Sequence, residues 1–513
     1  MPRALAFVAG EEWLTWAEYA ARSDALAAAF ARAGLAPGER VAVWLPDGPD
    51  VHTAFVATEK AGLVAVGIGP RAGETEIAHL LRRSGASALL SPGRQRGIDT
   101  RAQVAALRDA GVPLRHHFVA EDAFASARPL DRDGEAVALT APDDAERRAL
   151  ARRRLAPGEL FLLNSTSGTT GLPKCVPHDQ ARWHHFHRLA VDAGDLRERD
   201  VFLSALPAPF GFGLWTAHFT PTLLGAPTVL LPHFDARGMI AEIERHRVSV
   251  LAAVSTQFIL MLDALDGADV SSLRVLFTGG EAVPYERAAA FEERTGARVL
   301  QFYGSNETGA LSRTTLRDTR EVRLGSAGHV IPEMEVRLFD REGKDVTAAG
   351  RGQPGCRGPL TCAGYWDDPE ANEKLFTADG WMLTGDTAEL DATGILRVVG
   401  RTADVIIRGG KNISAPVVEE AVLTHPAVAL AAAVPAPDPV FGERVCAVVA
   451  LHPGRTLTLE ALVDHLRAGG LSVESLPEHL VVMDELPRAS GGKIAKGALR
   501  REIAGRFAPR EEA

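Results

Sequence analysis

Hydrophobic positions change their period repeatedly along the chain, and each change marks an element. Trp16, Tyr19, Ala20, Leu26, Ala27 and Phe30 recur at helical spacing behind Thr15, with Glu18 three residues on. That pattern predicts a capped helix that Gly34 ends. Val41–Leu45 is a short unbroken apolar run and reads as a buried strand. Similar units return through Ala54–Gly62, Ile77–Ser84 and Ala86–Leu90. Strands alternating with helices imply parallel sheets covered on both faces. Residues 131–154 interrupt the pattern with runs of Asp, Glu and Arg and are expected to form one solvated connecting helix. Strands are then predicted at Leu160–Leu163, Leu273–Phe277 and Val299–Tyr303. From Val330 short strands and turns take over, at Glu335–Phe339, Gly352–Leu360 and Ile395–Val399. From about Asp404 strand and helix alternate again, through Val417–Leu423, Val428–Val434, Arg444–Leu451, Leu459–Arg467 and His479–Met483. Roughly 110 residues suffice for an independent small domain. The boundary is expected at Arg401–Asp404, giving domains 1–402 and 403–513.

Composition narrows the function. The 513 residues are 46% hydrophobic, and 56 Lys plus Arg face 66 Asp plus Glu, a net charge of −10. Nucleic acid and anionic membranes demand a basic face and are excluded as main partners. Four cysteines, Cys175, Cys356, Cys362 and Cys446, show no CxxC spacing, which fits a reducing compartment. No apolar run approaches the roughly 18 residues of a membrane span, and no signal-peptide core precedes Glu11 and Glu12. A soluble cytoplasmic enzyme is expected. Only seven of the basic residues are lysines, and Lys174, Lys411 and Lys493 stand in glycine-rich, helix-poor surroundings. In a chain that uses Arg so freely, a compact ammonium at such places is a candidate for chemistry.

The segment Asn164 to Lys174 follows an apolar strand with Ser165, Thr166, Ser167, Gly168, Thr169, Thr170 and Gly171 before its lysine. Glycines let backbone N–H groups close on an anion, hydroxyls add donors, and lysine adds a point charge, as a polyphosphate requires. The Walker spacing is absent. A second cluster, Gln301 to Gly309, sets Tyr303 and Gly304 before Asn306 and Glu307, suited to a planar base beside a magnesium-holding carboxylate. A third, Gly380 to Asp386, offers Asp386 to ribose hydroxyls. His184, His185 and His187 have no second ligand cluster and read as a helix. Gly211-Phe212-Gly213 begins a dinucleotide fingerprint that Thr216 breaks.

Taken together and in order, these segments resemble the adenylate-forming superfamily of acyl- and aryl-CoA synthetases, firefly-type luciferases and peptide-synthetase adenylation domains. Leu14–Glu18, Ala61-Gly62, Thr166–Lys174, Tyr303–Glu307, Thr384–Asp386, Gly400-Arg401, Gly409–Ile413 and Pro487 through Lys493 carry the likeness across nearly the whole chain. The resemblance implies an α/β fold. A large N-terminal region of helix-covered sheets with a distorted β-barrel-like part would precede a small mobile α/β C-terminal domain. It implies that Tyr303, with Gly280, Glu281 and Gly304, holds adenine, that Asp386 and Arg401 hold ribose, and that Thr166 to Lys174 hold the β- and γ-phosphates. Glu307 would take Mg²⁺, and Lys493 would bridge carboxylate and α-phosphate. Gly409, Gly410 and Lys411 would line the CoA tunnel, with the hinge at Ala403. Phe210, Phe212, Trp215, Gly279 and Gly309 would surround the acyl group.

The chain departs from the family pattern at four places. Cys175 replaces a glycine after the lysine, and Asn306 replaces the threonine before Glu307, keeping a donor for the α-phosphate. Ala403 stands where Asp or Lys is usual at the hinge, and Phe210 stands where the pocket motif has His. Pro209 to Trp215 carries no carboxylate to pair an α-ammonium, and an unpaired buried ammonium is costly. The expected substrate is therefore an apolar acid without an α-amine, with Gly211 and Gly213 leaving room for a bulky or cyclic skeleton. The expected reaction consumes ATP and Mg²⁺ to form an acyl-adenylate and then acyl-CoA. One rival reading hands the adenylate to a carrier protein or partner enzyme, and another is a silent ligand-binding relative. Abundant Arg and Ala hint at a GC-rich bacterium and secondary metabolism.

Overall fold

The computed structural model describes residues 3–121, 124, 128–166, 172–280, 283–401, 405–408, 411–489 and 492–507, without the side chains of Arg401, Lys411 and Asn412. The chain is α/β, and its contacts divide it into two units that interleave in sequence. One comprises 1–252, 305–309 and 359–375; the other comprises 253–304, 310–358 and 376–513. No helix among the described residues is long and apolar enough to cross a membrane.

The first unit holds an eight-stranded sheet. Its strands run in the order Glu135–Val137, Leu130–Arg132, His116–Ala120, Ala88–Pro92, Arg40–Val43, Val64–Gly67, Leu160–Ser165 and Cys175–Asp179. The inner strands pair in parallel and the outer ones antiparallel. Trp44, Val66, Leu89 and Leu163 join the buried cluster on this sheet, with residues of the helix Glu74–Ser84. A second set of strands, Val250–Ala252, Phe202–Ser204, Thr228–Leu230 and Leu5–Ala9, is also parallel, with Glu12–Thr15 antiparallel at its edge. The first helix, Trp16–Arg32, starts at the Thr15–Glu18 capping box, and Gly34 follows its end with a positive φ of 82°.

Residues 131–154 do not form one helix. Asp133 and Gly134 both take positive φ, 54° and 91°, and turn Leu130–Arg132 back on Glu135–Val137 as a hairpin. An Asp-Gly pair is the preferred two-residue hairpin turn. Only Asp144–Ala151 is helical, started by a capping box of Asp143 with Glu146.

In the second unit, the strands Val275–Gly279 and Arg298–Ser305 pair in parallel. Glu335–Phe339, Arg351–Arg357, Asp386–Leu390 and Leu396–Arg401 form an antiparallel sheet, with Met382–Leu383 attached to its second strand. The last sheet has the order Lys411–Ser414, Val405–Arg408, Gly442–Leu451, Val428–Asp438, and His479–Val482 lies parallel to Gly442–Leu451. Its core gathers Ile406, Val418, Val428, Val445 and Leu462, among others. The expected boundary at 402/403 lies outside the described residues.

Candidate active site

In the first unit, the strand Leu160–Ser165 is buried to its end and leads into the candidate phosphate segment. The segment is stapled at its base. Thr166 N–H donates to the Lys174 carbonyl at 3.0 Å, and Lys174 N–H donates to Thr166 Oγ1 at 3.1 Å. Cys175 turns inward from there, and burial pushes its thiol up to about 12, so it serves packing. Its carbonyl accepts from Trp366 N–H at 2.8 Å, and the neighbouring Tyr365 ring lies 4.7 Å from the Lys174 ammonium.

Residues 305–309 belong to the same unit and are folded by their own hydroxyls. Ser305 Oγ accepts from the N–H groups of Glu307 and Thr308, while Thr308 Oγ1 accepts from Ser305 N–H. Gly309 takes a φ of 63°, and a Cβ there would stand 2.5 Å from the Leu360 carbonyl oxygen, so only glycine fits. Glu307 Oε1 accepts the Tyr365 hydroxyl proton at 2.8 Å. Tyr365 thus touches both the candidate phosphate lysine and the candidate magnesium carboxylate, with the phenol pushed well above its usual range by burial and Glu307.

Beneath them lies a buried polar circuit. Asn306 Oδ1 faces Asn164 Nδ2 at 3.2 Å, and Asn164 Oδ1 faces His178 Nε2 at 2.9 Å. His178 Nδ1 faces Arg182 Nη1 at 3.1 Å. Arg182 Nη2 donates back to the carbonyls of Asn306 and Glu307 at 3.1 and 3.3 Å, and to that of Leu360 at 2.7 Å. Asn164, His178 and Arg182 are 0%, 4% and 8% exposed. Burial and the adjacent guanidinium hold His178 neutral, well below its usual range.

The stretch from Pro207 to Phe219 packs against this region. Asp47 Oδ1 accepts the Ala208 N–H at 2.9 Å, and burial raises its carboxyl to about 6. Phe210 is buried against Gly69. Phe212 stacks on Trp215 at 5.4 Å, and Trp215, 3% exposed, meets Phe186 edge-on at 4.9 Å, so it backs Phe212 from the core. The glycines Gly211 and Gly213 do not leave open room. A Cβ on Gly211 would lie 2.1 Å from Asn306 Oδ1, and one on Gly213 would lie 2.2 Å from the Pro207 carbonyl oxygen. Close approach, rather than space for a bulky acid, is what excludes side chains there. A π-helical turn, Leu214–Phe219, follows.

The second unit assembles the expected nucleoside residues. Tyr303 packs on Ala327, Ala388 and Leu396, and its hydroxyl donates to Asp386 Oδ2 at 2.6 Å. Asp386 lies opposite Arg401 in the strand register. Gly279 backs onto the Phe302 carbonyl, which a Cβ would meet at 2.4 Å. Lys493 Nζ donates to the carbonyl of Gly280 at 2.8 Å, so the candidate catalytic lysine reaches the candidate adenine segment. Ala489 N–H donates to the Lys493 carbonyl at 2.8 Å. Ser167, Gly168, Thr169, Thr170, Gly171, Glu281, Ala403, Gly409 and Gly410 lie outside the described residues, as do the side chains of Arg401 and Lys411.

Sequence reasoning missed Tyr365, Asn164, His178, Arg182 and Asp47. The usable signal for Asn164 was an amide ending an otherwise apolar strand. For magnesium, Glu307 with one oxygen engaged by Tyr365 is a fitting donor, because Mg²⁺ takes one or two carboxylates and draws its other ligands from phosphate and water. No cluster of three metal-binding side chains occurs among the described residues.

The model of the AMP-binding enzyme family matches residues 1–366, and that of the AMP-binding enzyme C-terminal domain matches residues 417–493. The chain is an AMP-binding enzyme. It belongs to the adenylate-forming superfamily expected from its motifs, whose members use ATP and Mg²⁺, with CoA as co-substrate of the CoA ligases among them. This AMP-binding enzyme is 33% identical to a 2-hydroxy-7-methoxy-5-methyl-1-naphthoate–CoA ligase of Streptomyces carzinostaticus, over 98% of this chain and 90% of that one. It is 32% identical to a salicylyl-CoA synthase / salicylate adenylyltransferase of a Streptomyces species, over 98% and 91%. The crystal structure of the anthranilate CoA ligase AuaEII in complex with anthranoyl-AMP superposes with a TM-score of 0.85 at 25% identity, covering 99% and 96%. This AMP-binding enzyme is accordingly an ATP-dependent, acid-adenylating ligase.

Proposed function

We propose that this enzyme joins an apolar, cyclic carboxylic acid without an α-amine, most simply an aromatic one, to CoA through an acyl-adenylate. A carboxylate oxygen bonds to the α-phosphorus of ATP, the α–β bridging bond breaks and pyrophosphate leaves. The CoA sulfur then bonds to the acyl carbon, the acyl–phosphate bond breaks and AMP leaves. Both reactants of the first step are anions, so neutralising charge at the two oxygens is the main catalytic task. In this reading Lys493 bridges them, Asn306 donates to the α-phosphate, and Thr166 to Lys174 hold the β- and γ-phosphates. Tyr303, Gly280, Glu281 and Gly304 hold adenine, and Asp386 and Arg401 hold ribose. Glu307 holds magnesium, which when bound neutralises phosphate charge. Residues 403–513 then turn about Ala403 to bring Gly409, Gly410 and Lys411 to the thiol, in a cytoplasmic enzyme.

The observation that carries the choice of acid is the aromatic stretch Phe210, Phe212 and Trp215 without a carboxylate from Pro209 to Trp215. Relatives named for naphthoate, salicylate and anthranilate support it. The test is acid-dependent ATP–pyrophosphate exchange across aromatic, alicyclic, aliphatic and amino acids, followed by CoA-dependent AMP release with the best acid. Amino acids outcompeting aromatic acids would overturn the substrate class. Exchange without CoA-dependent turnover would transfer the acceptor role to a carrier protein.

A further inference from the structure

The buried circuit under Asn306 has a direction, and chemistry sets it. Arginine has only donors. Arg182 Nη1, facing His178 Nδ1 at 3.1 Å, therefore makes that nitrogen an acceptor. A neutral imidazole carries one proton, so it sits on Nε2 and donates to Asn164 at 2.9 Å. The Asn164 atom that receives it must be the oxygen, which turns the Asn164 amide nitrogen toward Asn306. Receiving that N–H at 3.2 Å, the Asn306 atom must in turn be its oxygen. Each step excludes the reversed amide, so the order does not depend on how the two ends of any amide were assigned.

We infer that Arg182, His178 and Asn164 form a polarity relay that fixes the Asn306 carboxamide with its N–H₂ turned away from Asn164. The inference rests on the reading of Asn306 as the donor to the α-phosphate. A threonine hydroxyl at that position rotates freely and needs no such control. An amide has two unlike ends, and the wrong one sets oxygen lone pairs against an anionic phosphate. Asn164 is fully buried, and a reversed amide there would leave paired donors facing each other with no water to relieve them. Gly211 adds a steric stop, since its Cα face abuts Asn306 Oδ1. The three relay residues are positioning residues, and none needs to touch substrate.

A double-mutant cycle in the full-length enzyme tests the relay. Asn164→Leu is expected to lower kcat for pyrophosphate exchange about tenfold beside Asn306, and by less than about twofold beside Asn306→Thr, with KM for ATP little changed in both. An equal loss in the two backgrounds, or none in either, overturns the relay. Asn306→Leu separates the premise: wild-type exchange in that variant sinks the donor reading itself. A measurement on the unmodified protein guards against variants that fail to fold. Nitrogen-15 NMR of histidine-labelled enzyme at neutral pH, with His178→Gln for assignment, should show His178 protonated on Nε2 alone. Protonation on Nδ1, or on both nitrogens, overturns the inference.

Discussion

Replacing Tyr365 by Phe removes one oxygen from the site and little else. The phenol donates to Glu307 Oε1 at 2.8 Å, while the ring face keeps its place 4.7 Å from the Lys174 ammonium. The variant therefore loses the hydrogen bond and keeps the cation–π contact. A hydrogen bond to a charged group contributes about 1.5–3 kcal/mol. Both residues are only partly buried, so water takes the phenol's place and the lower end applies. A released Glu307 also recovers rotamer freedom of up to about 2 kcal/mol, which metal binding must remove again. A net cost near 1.4 kcal/mol is tenfold in an equilibrium constant. The magnesium concentration for half-maximal exchange should rise about tenfold, while kcat at saturating magnesium stays within about twofold of wild type. The assay is pyrophosphate exchange titrated with Mg²⁺ at fixed, saturating ATP and acid. An unchanged magnesium dependence refutes the reasoning. A shift to lower magnesium refutes it in another way, by showing that the phenol competes with the ion for the same oxygen.

Glu307→Gln keeps the shape and removes the charge, and should cut adenylation by about 10²-fold or more; exchange at the wild-type rate would unseat Glu307 as the metal carboxylate. Lys493→Ala should abolish adenylate formation while sparing thioester formation from supplied acyl-adenylate and CoA; an equal fall in both would make Lys493 a general folding or docking residue. Gly211→Ala drives a methyl to within 2.1 Å of Asn306 Oδ1, which Asn164 pins, so exchange should drop about tenfold while the melting temperature moves by no more than a few degrees. His218 lies buried with its Nδ1 3.2 Å from that of His52, and burial pushes its pKa down to about 4. Because the unfolded chain takes up that proton near pH 6.5, stability present at pH 7 is lost as pH falls from about 6.5 toward 4, by roughly 2 kcal/mol at pH 5. Urea unfolding at pH 7 and pH 5 measures this, and a His218→Asn variant with the same pH loss would assign it elsewhere.

Local chemistry was legible wherever neighbours in sequence decide the outcome. Thr15 and Glu18 cap the first helix because the capping box is a contact between residues three apart. The apolar strand before Asn164 was readable because its run of hydrophobic residues is local, and the family because its motifs are short and stand in order. The polar stretch 131–154 misled because charge was weighed over the Asp133-Gly134 pair, whose positive φ values make the hairpin. Gly211 and Gly213 misled because a missing side chain says nothing about what fills the space. Asn306 and Pro207 fill it. Tyr365 and Arg182 escaped notice because their partners are remote: Tyr365 stands 58 residues from Glu307, and Arg182 stands 178 from Leu360. No periodicity reports a contact of that range.

The interleaved first unit imposes an order on the protein's own synthesis. Its first 252 residues leave the ribosome without residues 305–309 and 359–375. Arg182 lies inside that early part, yet three of its carbonyl acceptors come from Asn306, Glu307 and Leu360. At roughly 5–20 residues per second, the intervening stretch of about 120 residues takes on the order of 6–25 s to emerge. Throughout that interval the nascent chain can pack its parallel sheet, but it would bury a guanidinium short of acceptors, so the helix bearing Arg182 has reason to stay loosely docked. Residues 359–375 arrive last of the first unit, and with them Tyr365 reaches Glu307 and the carbonyl of Leu360 reaches Arg182. A chain halted before residue 360 is then an incompletely satisfied folding intermediate that chaperones would have to shelter.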